Sequence, residues 1–208
     1  MSNLVNVLTR TSNRPEAFKR CFESFQSQTH TAKRMVVGVD NDETRKYVEE
    51  IVGDDRTVDI VVYPHTPKDP ERGDAHAPYN EYINTLLDHV GFGYILVLDD
   101  DDVFTSETSL ATIASQAEED KLVLWRTQMP YGVVPHPQME NAPVLIPQQV
   151  TSCGYTWHSK HKWAIHWNPV KEADYRCAQT LSRLLPMKRL AATLVAVPSI
   201  GMGDRNDG

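Results

Sequence analysis

Residues 94–104, Tyr-Ile-Leu-Val-Leu-Asp-Asp-Asp-Asp-Val-Phe, constrain the fold more than any other stretch of the chain. The apolar run from Tyr94 to Leu98 passes directly into Asp99, Asp100, Asp101 and Asp102. This pattern predicts a strand buried on both faces whose carboxyl end emerges at a site. Neighbouring like charges repel, more strongly beside a low-dielectric strand end, so the run needs either full solvation or a cation. Hard carboxylate oxygens at the mouth of a sheet suit Mg2+ or Mn2+, which keep positions open for the phosphates of a nucleotide. The alternative is a solvated acidic turn in which Asp102, Thr105 or Ser106 caps the next helix.

The same order of strand, polar loop and helix opens the chain. Leu4 to Leu8 form a short apolar strand, and Pro15 starts a helix whose Phe18, Cys21, Phe22 and Phe25 recur at helical spacing. In such a βαβ unit the loop lies at the carboxyl end of the strand, where ligands bind. Thr9, Arg10, Thr11 and Arg14 therefore offer hydroxyls and guanidinium groups to a nucleotide, while Ser12 and Asn13 serve equally as helix-start residues. Arg34 to Val39 form a second strand ending in Asp40-Asn41-Asp42-Glu43, before a helix with Tyr47, Val48, Ile51 and Val52 on one face. Asp42 is expected to cap that helix and Asp40 to face a base or ribose. Val58 to Tyr63 make a third strand, and Pro64 to Asp74 a proline-rich loop long enough to move, with Arg72 either reaching a phosphate or staying solvated. Tyr79, Tyr82, Ile83, Leu86, Leu87 and Val90 define the next helix, near whose start Asn80 either contacts the nucleotide or helps cap the turn.

The second half is less regular. A helix around Leu110, Ile113, Ala114 and Ala117 and a strand from Lys121 to Trp125 lead into Thr127 to Gln149, where five prolines predict a lid, a binding loop or an irregular excursion. Trp163, Ile165 and Trp167 alternate with Ala164 and His166, which reads as a strand with an aromatic face, packed on the core or stacking on a sugar or base. His158 and His161 carry a weak metal spacing with no further ligands. A helix from Pro169 places Asp174 in its first turn, where an acid complements the helix dipole. Ala192 to Val197 give a last strand, and the tail from Gly201 reads as mobile.

Composition narrows the class. A chain of 208 residues, 40% hydrophobic and 24% charged, supports one sizeable core and a single domain. A formal charge of -7 argues against a nonspecific nucleic-acid binder, whose affinity comes from clustered Lys and Arg. Cys21, Cys153 and Cys177 have no metal spacing and predict reduced, buried thiols in a cytosol. No basic leader and no membrane-length apolar run appears, so the expectation is a soluble, cytoplasmic protein.

Thr11-Ser12-Asn13-Arg14-Pro15, Val39-Asp40-Asn41-Asp42 and Leu98-Asp99-Asp100-Asp101-Asp102, in that order, resemble the first-strand, second-strand and DXD motifs of family 2 nucleotide-sugar glycosyltransferases of the GT-A fold. The resemblance covers about residues 4–126. Tyr79 stands where that family often has the arginine of an Arg-Asn pair, with Asn80 retained. The resemblance implies an α/β, Rossmann-like, mixed and mainly parallel sheet flanked by helices, in one GT-A-like domain over 1–208. About 1–126 would bind the nucleotide sugar and about 127–208 the acceptor. It implies that Asp99 contacts the ribose or the metal, Asp100 lies in the donor site, and Asp101, with Asp102 as its neighbour, ligates Mn2+ or Mg2+ against the donor diphosphate. Ala173-Asp174-Tyr175 is similar to the family's Glu-Asp motif, which makes Asp174 the implied base, with Glu172 displaced by one residue. The family's C-terminal histidine near the diphosphate is not evident; either Arg205 replaces its charge or the tail has no part in the site.

Those expectations define a metal-dependent glycosyltransferase that moves a sugar, with a UDP-sugar as the first donor to test, onto an acceptor hydroxyl with inversion. The acceptor is a saccharide, a small molecule or a modified macromolecule. A nucleotidyltransferase would share the cation site, but its glycine-rich opening is missing from Thr9 to Arg14. A nucleotide- or carbohydrate-binding module on the same fold is the non-enzymatic alternative.

Overall fold

The computed structural model describes residues 3–139 and 142–198; Arg205 and the rest of the C-terminal tail lie outside the described residues. Strand β1 (Val5–Thr11) leads through a polar loop into helix α1 (Pro15–Gln26), with Pro15 at the first helical position as expected. β2 (Lys33–Val39), α2 (Asp42–Val52) and β3 (Val58–Val62) repeat the unit. After the 64–77 loop, α3 (Tyr82–Asp88) and β4 (Tyr94–Val97) complete a third. The rest comprises β5 (Val103–Phe104), α4 (Ser109–Gln116), β6 (Leu122–Met129), β7 (Gly132–Val134), β8 (Tyr155–His158), α5 (Ala173–Leu184) and β9 (Met187–Ala196).

Among the described residues the nine strands form one sheet, ordered β3-β2-β1-β4-β8-β6-β9-β5, with β7 paired to β6. β3, β2, β1 and β4 are parallel; β8 is antiparallel to both β4 and β6, and β9 is parallel to β6. The chain moves outward from β1 through β2 to β3, then crosses to β4 on the other side of β1. This is the topological switch point at which a crevice opens outside the strand ends. Alternation along the central strands explains the layers. Val7, Leu96 and Leu98 face the core under α1 and α4, whereas Leu8, Ile95 and Val97 face the core under α3 and α5. Both faces are buried, as the apolar run before Asp99 requires. No helix among the described residues is long and apolar enough to cross a membrane.

Several sequence expectations change in detail. Trp163, Ile165 and Trp167 do not form a strand. Ser159–Ala164 make a 3-10 turn capped by the His158 side chain and fastened by Lys162 Nζ, which donates to the Leu87 carbonyl in the last turn of α3 and to the Val90 carbonyl just past it. Trp163 is consequently 76% exposed, and Trp167 is buried. Asp42 does not cap α2; Asn41 does, in an extended conformation, its Oδ1 accepting from Thr44 N at 2.7 Å. None of Asp102, Thr105 or Ser106 caps α4, which begins only at Ser109, while Asp102 turns inward. α5 starts at Ala173 rather than Pro169, because residues 169–171 are drawn into backbone bonds with the 64–77 loop: Ala77 N to Pro169 O at 2.9 Å and Lys171 N to Ala75 O at 3.0 Å. All three cysteines are free and buried.

Candidate active site at the strand ends

The carboxyl ends of β1 and β4 lie side by side, and their two loops carry opposite charge. Arg10 forks onto Asp99, Nε to Oδ1 at 2.8 Å and Nη2 to Oδ2 at 3.1 Å. Its remaining donor, Nη1, reaches Asn80 Oδ1 at 2.8 Å and the Tyr79 carbonyl at 2.9 Å, and the guanidinium lies 4.9 Å from the centre of the Tyr79 ring. Burial alone would lower the Arg10 pKa, but the charge and the hydrogen bond of Asp99, with Tyr79 and Tyr63, together raise it. Thus the cation beside Asn80 comes from β1, while the aromatic residue at 79 serves as its platform.

Arg14 balances the next two acids, donating to Asp100 Oδ1 at 2.8 Å and to Asp101 Oδ2 at 2.9 Å. It is aimed there by Asn13, whose left-handed backbone (φ 53°) turns the chain between β1 and α1 and whose N–H donates to Thr44 Oγ1. Burial lifts the Asp100 carboxyl to about 7 against the pull of Arg14. Asp102 is fully enclosed, burial pushes its carboxyl up, and its Oδ2 accepts from Asp99 N at 3.2 Å, folding the acidic turn on itself. Thr11 shares a 2.8 Å hydrogen bond with the Tyr47 hydroxyl, and the buried Thr9 hydroxyl has no partner among the described residues. Asp40 is buried at the end of β2, and Asp42 is exposed in the first turn of α2.

A cleft of about 200 Å³ opens beside this array, lined by Arg10, Asn80 and Asp99 and by Trp167, Lys171 and Asp174. Tyr79, Ser152, Glu172 and Ala173 complete it, Ser152 Oγ donating to Asp99 Oδ2 at 3.2 Å. Four predicted residues, Arg10, Asn80, Asp99 and Asp174, therefore meet in one cavity. Thr9, Thr11, Arg14, Asp40, Asp42, Asp100, Asp101 and Asp102 stand outside its lining. Burial raises the Asp174 carboxyl, the Tyr175 N–H pulls it back, and the facing Asp99 adds to the rise. A carboxyl so shifted, in the same cleft as Arg10 and Asp99, can act as a proton acceptor once ionised.

The segment carrying Trp167 is held by α3. Asn84 Nδ2 donates to Trp167 O and Asn84 Oδ1 accepts from Trp167 N, both at 2.9 Å, while Asn80 Nδ2 donates to Val170 O at 2.7 Å. Ser152 and Lys171 carried no local signal in the sequence, because loops and long-range pairing bring them in; Trp167 was marked by its aromatic neighbours, but it lines the cleft from a loop and not from a strand.

Among the described residues no three His, Cys, Asp or Glu side chains converge as a metal cage. Mg2+ and Mn2+ are, however, often held by one or two carboxylates plus substrate phosphates. Asp99, at the cleft, and Asp101, two residues on, offer that partial shell of hard oxygens, and in this respect the donor set fits such an ion.

No family model matches the chain, and no curated protein matches it in sequence. Solved structures do. S. aureus TarS 1-349 in complex with UDP-GlcNAc superposes with a TM-score of 0.70 at 14% identity, covering 99% of this chain and 61% of that one. The mannosyltransferase PcManGT from Pyrobaculum calidifontis, in complex with GDP-Man and Mn2+, gives 0.68 at 15%, covering 97% and 59%. A nucleotidyl transferase from Methanothermobacter thermautotroptrophicus gives 0.57 at 11%, covering 91% and 88%. The chain thus spans about 60% of the length of the first two, and at these identities the likeness establishes the GT-A-like fold.

Proposed function

We propose that this chain is a metal-dependent glycosyltransferase that transfers a sugar from a nucleoside-diphosphate sugar to an acceptor hydroxyl with inversion. In this reading, about 1–126 forms the donor-binding half and about 127–208 the acceptor-binding half of one domain. The observation that carries it is the cleft that Asp99 and Asp174 line together. The ligands of the structural neighbours, UDP-GlcNAc in one and GDP-Man with Mn2+ in another, support the choice of donor class and cofactor.

Asp99 and Asp101 would hold the divalent cation, which when bound offsets charge on the diphosphate leaving group as a Lewis acid. The chain's own residues do the rest. Arg10 fixes the orientation of Asp99 through two hydrogen bonds, and Asn80 fixes Arg10. Arg14 offsets Asp100 and Asp101, so the acidic turn stays folded before a ligand arrives. Asp174 accepts the proton of the acceptor hydroxyl as that oxygen attacks the sugar carbon from the side opposite the diphosphate. Because burial raises its carboxyl, turnover should climb with pH as Asp174 ionises.

The test is release of nucleoside diphosphate from UDP- and GDP-sugars with and without Mn2+, alongside calorimetric titration of UDP and GDP. Wild type should turn over only with metal. Asp174→Asn should lose at least about 100-fold in rate and keep its nucleotide affinity. Full turnover by that variant sinks the base assignment, and consumption of a nucleoside triphosphate plus a sugar phosphate instead would make the chain a nucleotidyltransferase. Binding with no turnover would leave a binding module.

A further inference from the structure

The nucleoside end of the donor site has a residue the motifs do not name. Asp40 is the acid expected to face a base, yet its side chain is 2% exposed and both carboxylate oxygens are occupied. Oδ1 accepts from Asn41 Nδ2 and Oδ2 from His65 Nδ1, each at 2.8 Å. A ligand arriving at the end of β2 meets the imidazole first, because the His65 side chain is 61% exposed.

The pairing fixes the chemistry of that ring. With Asp40 as a carboxylate, the tautomer of the neutral ring that satisfies this contact carries its hydrogen on Nδ1 and leaves Nε2 as an acceptor. Among the described residues Nε2 has no partner. The backbone on either side is pinned. Tyr63 N donates to Val39 O at 3.0 Å, continuing the β2–β3 pairing, and the Tyr63 ring stacks on Tyr82 at 4.0 Å. Thr66 N donates to the Tyr82 hydroxyl at 2.6 Å. Gly38 makes room for this arrangement, since a Cβ there would stand 2.5 Å from Tyr63 Cε1. The Tyr63 phenol is pushed up by burial and then by Asp40 and pulled back by Arg10, so this corner and the Arg10 end of the cleft share one electrostatic neighbourhood.

We infer that His65, held by Asp40, reads the nucleobase of the donor through Nε2 and selects bases that present an imino N–H. Uracil and guanine carry such a hydrogen on the pairing edge; cytosine and adenine have a bare ring nitrogen there and would set acceptor against acceptor. Asp40 is then a positioning residue for the ring rather than a contact to the base. The inference rests on the donor-site reading above and adds the residue that would set its base preference. A site that bonds an N–H discriminates against a ligand without one, because in the complex the acceptor then faces another acceptor.

The experiment is calorimetric titration of UDP, GDP, CDP and ADP, each with Mn2+, into wild type, His65→Ala, His65→Gln and Asp40→Asn. Wild type should favour UDP or GDP over CDP and ADP. His65→Ala should lose about tenfold for the favoured nucleotide, the worth of one hydrogen bond, and little for the others, so that the preference collapses. His65→Gln, which keeps an acceptor, should recover part of it. Asp40→Asn should mimic His65→Ala, and the pair combined should be no worse than either alone. Since His65 is largely exposed, His65→Ala tests the idea even if Asp40→Asn fails to fold. Unchanged preference in His65→Ala overturns the inference, as does a rise in affinity for every nucleotide, which would mean the ring blocks the site. Failure of wild type to bind any of the four overturns the donor-site reading itself and the inference with it.

Discussion

Replacing Arg10 by Met removes the guanidinium and keeps much of the apolar stem. In the native chain Arg10 and Asp99 are joined by two bonds of 2.8 and 3.1 Å, and their side chains are 14% and 21% exposed. Charge-assisted hydrogen bonds contribute about 1.5–3 kcal/mol each, and breaking a fully buried pair costs about 3–5 kcal/mol. Both partners retain some contact with the cleft, which screens the orphaned carboxylate, and Asn80 Oδ1 loses its donor as well. A cost of about 3 kcal/mol follows. For a chain of this size that lowers Tm by about 6–12 °C. Urea unfolding of Arg10→Met, Asp99→Asn and the double variant gives the coupling directly. It should be at least about 1.5 kcal/mol, and Arg10→Lys, which keeps the charge and loses the fork, should recover less than half of the loss. Additivity of the two single variants within about 0.5 kcal/mol would falsify the view that this fork organises the site.

Two further outcomes test the surroundings. Burial raises Asp100 from 3.8 to about 7, so the folded state holds a proton that the unfolded state releases; stability is fully present below about 3.8 and declines as pH rises toward 7. At about 1.4 kcal/mol per unit the whole effect is at most about 4 kcal/mol, and metal-free denaturation of Asp100→Asn should show a flatter profile across that window and a gain at pH 8. Asn84→Leu leaves the Trp167 N–H and carbonyl without their 2.9 Å partners. It should cost about 2–4 kcal/mol, read as a lower Tm by scanning calorimetry, with Asn84→Asp, which keeps only the acceptor, falling between.

What could be read from sequence was local. Leu98 to Asp102 and Asn13 to Pro15 each carry their meaning within a few residues, and the structure puts both at strand ends as the periodicity required. The cap of α2 was misplaced by one position because Asp40-Asn41-Asp42 offers three side chains able to accept; β2 ends its pairing at Val39, and that leaves Asn41 extended before the helix. Trp163 to Trp167 alternate as a strand would. Only the bonds from Lys162 to carbonyls more than 70 residues away show why the segment turns instead. Ser152 and Lys171 reach the cleft through long-range contacts that no pattern of neighbours encodes, and His65 sits in a proline-rich loop whose composition predicted motion rather than a held side chain.

The register between β1 and β4 explains why the acidic run meets arginine at all. Leu8 pairs with Val97, so two steps further along each strand Arg10 comes opposite Asp99. The left-handed Asn13 then returns the chain so that Arg14 covers Asp100 and Asp101. Three of the four carboxyls are thus met by two guanidiniums before any ligand is present, and burial favours the protonated form of Asp100 and of the remaining acid, Asp102. An array already so balanced has little reason to gather a bare divalent ion. An ion that arrives with a diphosphate brings its own oxygens and needs only one or two protein carboxylates. On the function proposed above, metal and nucleotide would bind as one unit, and the arginines would keep the acidic turn in shape until that unit arrives.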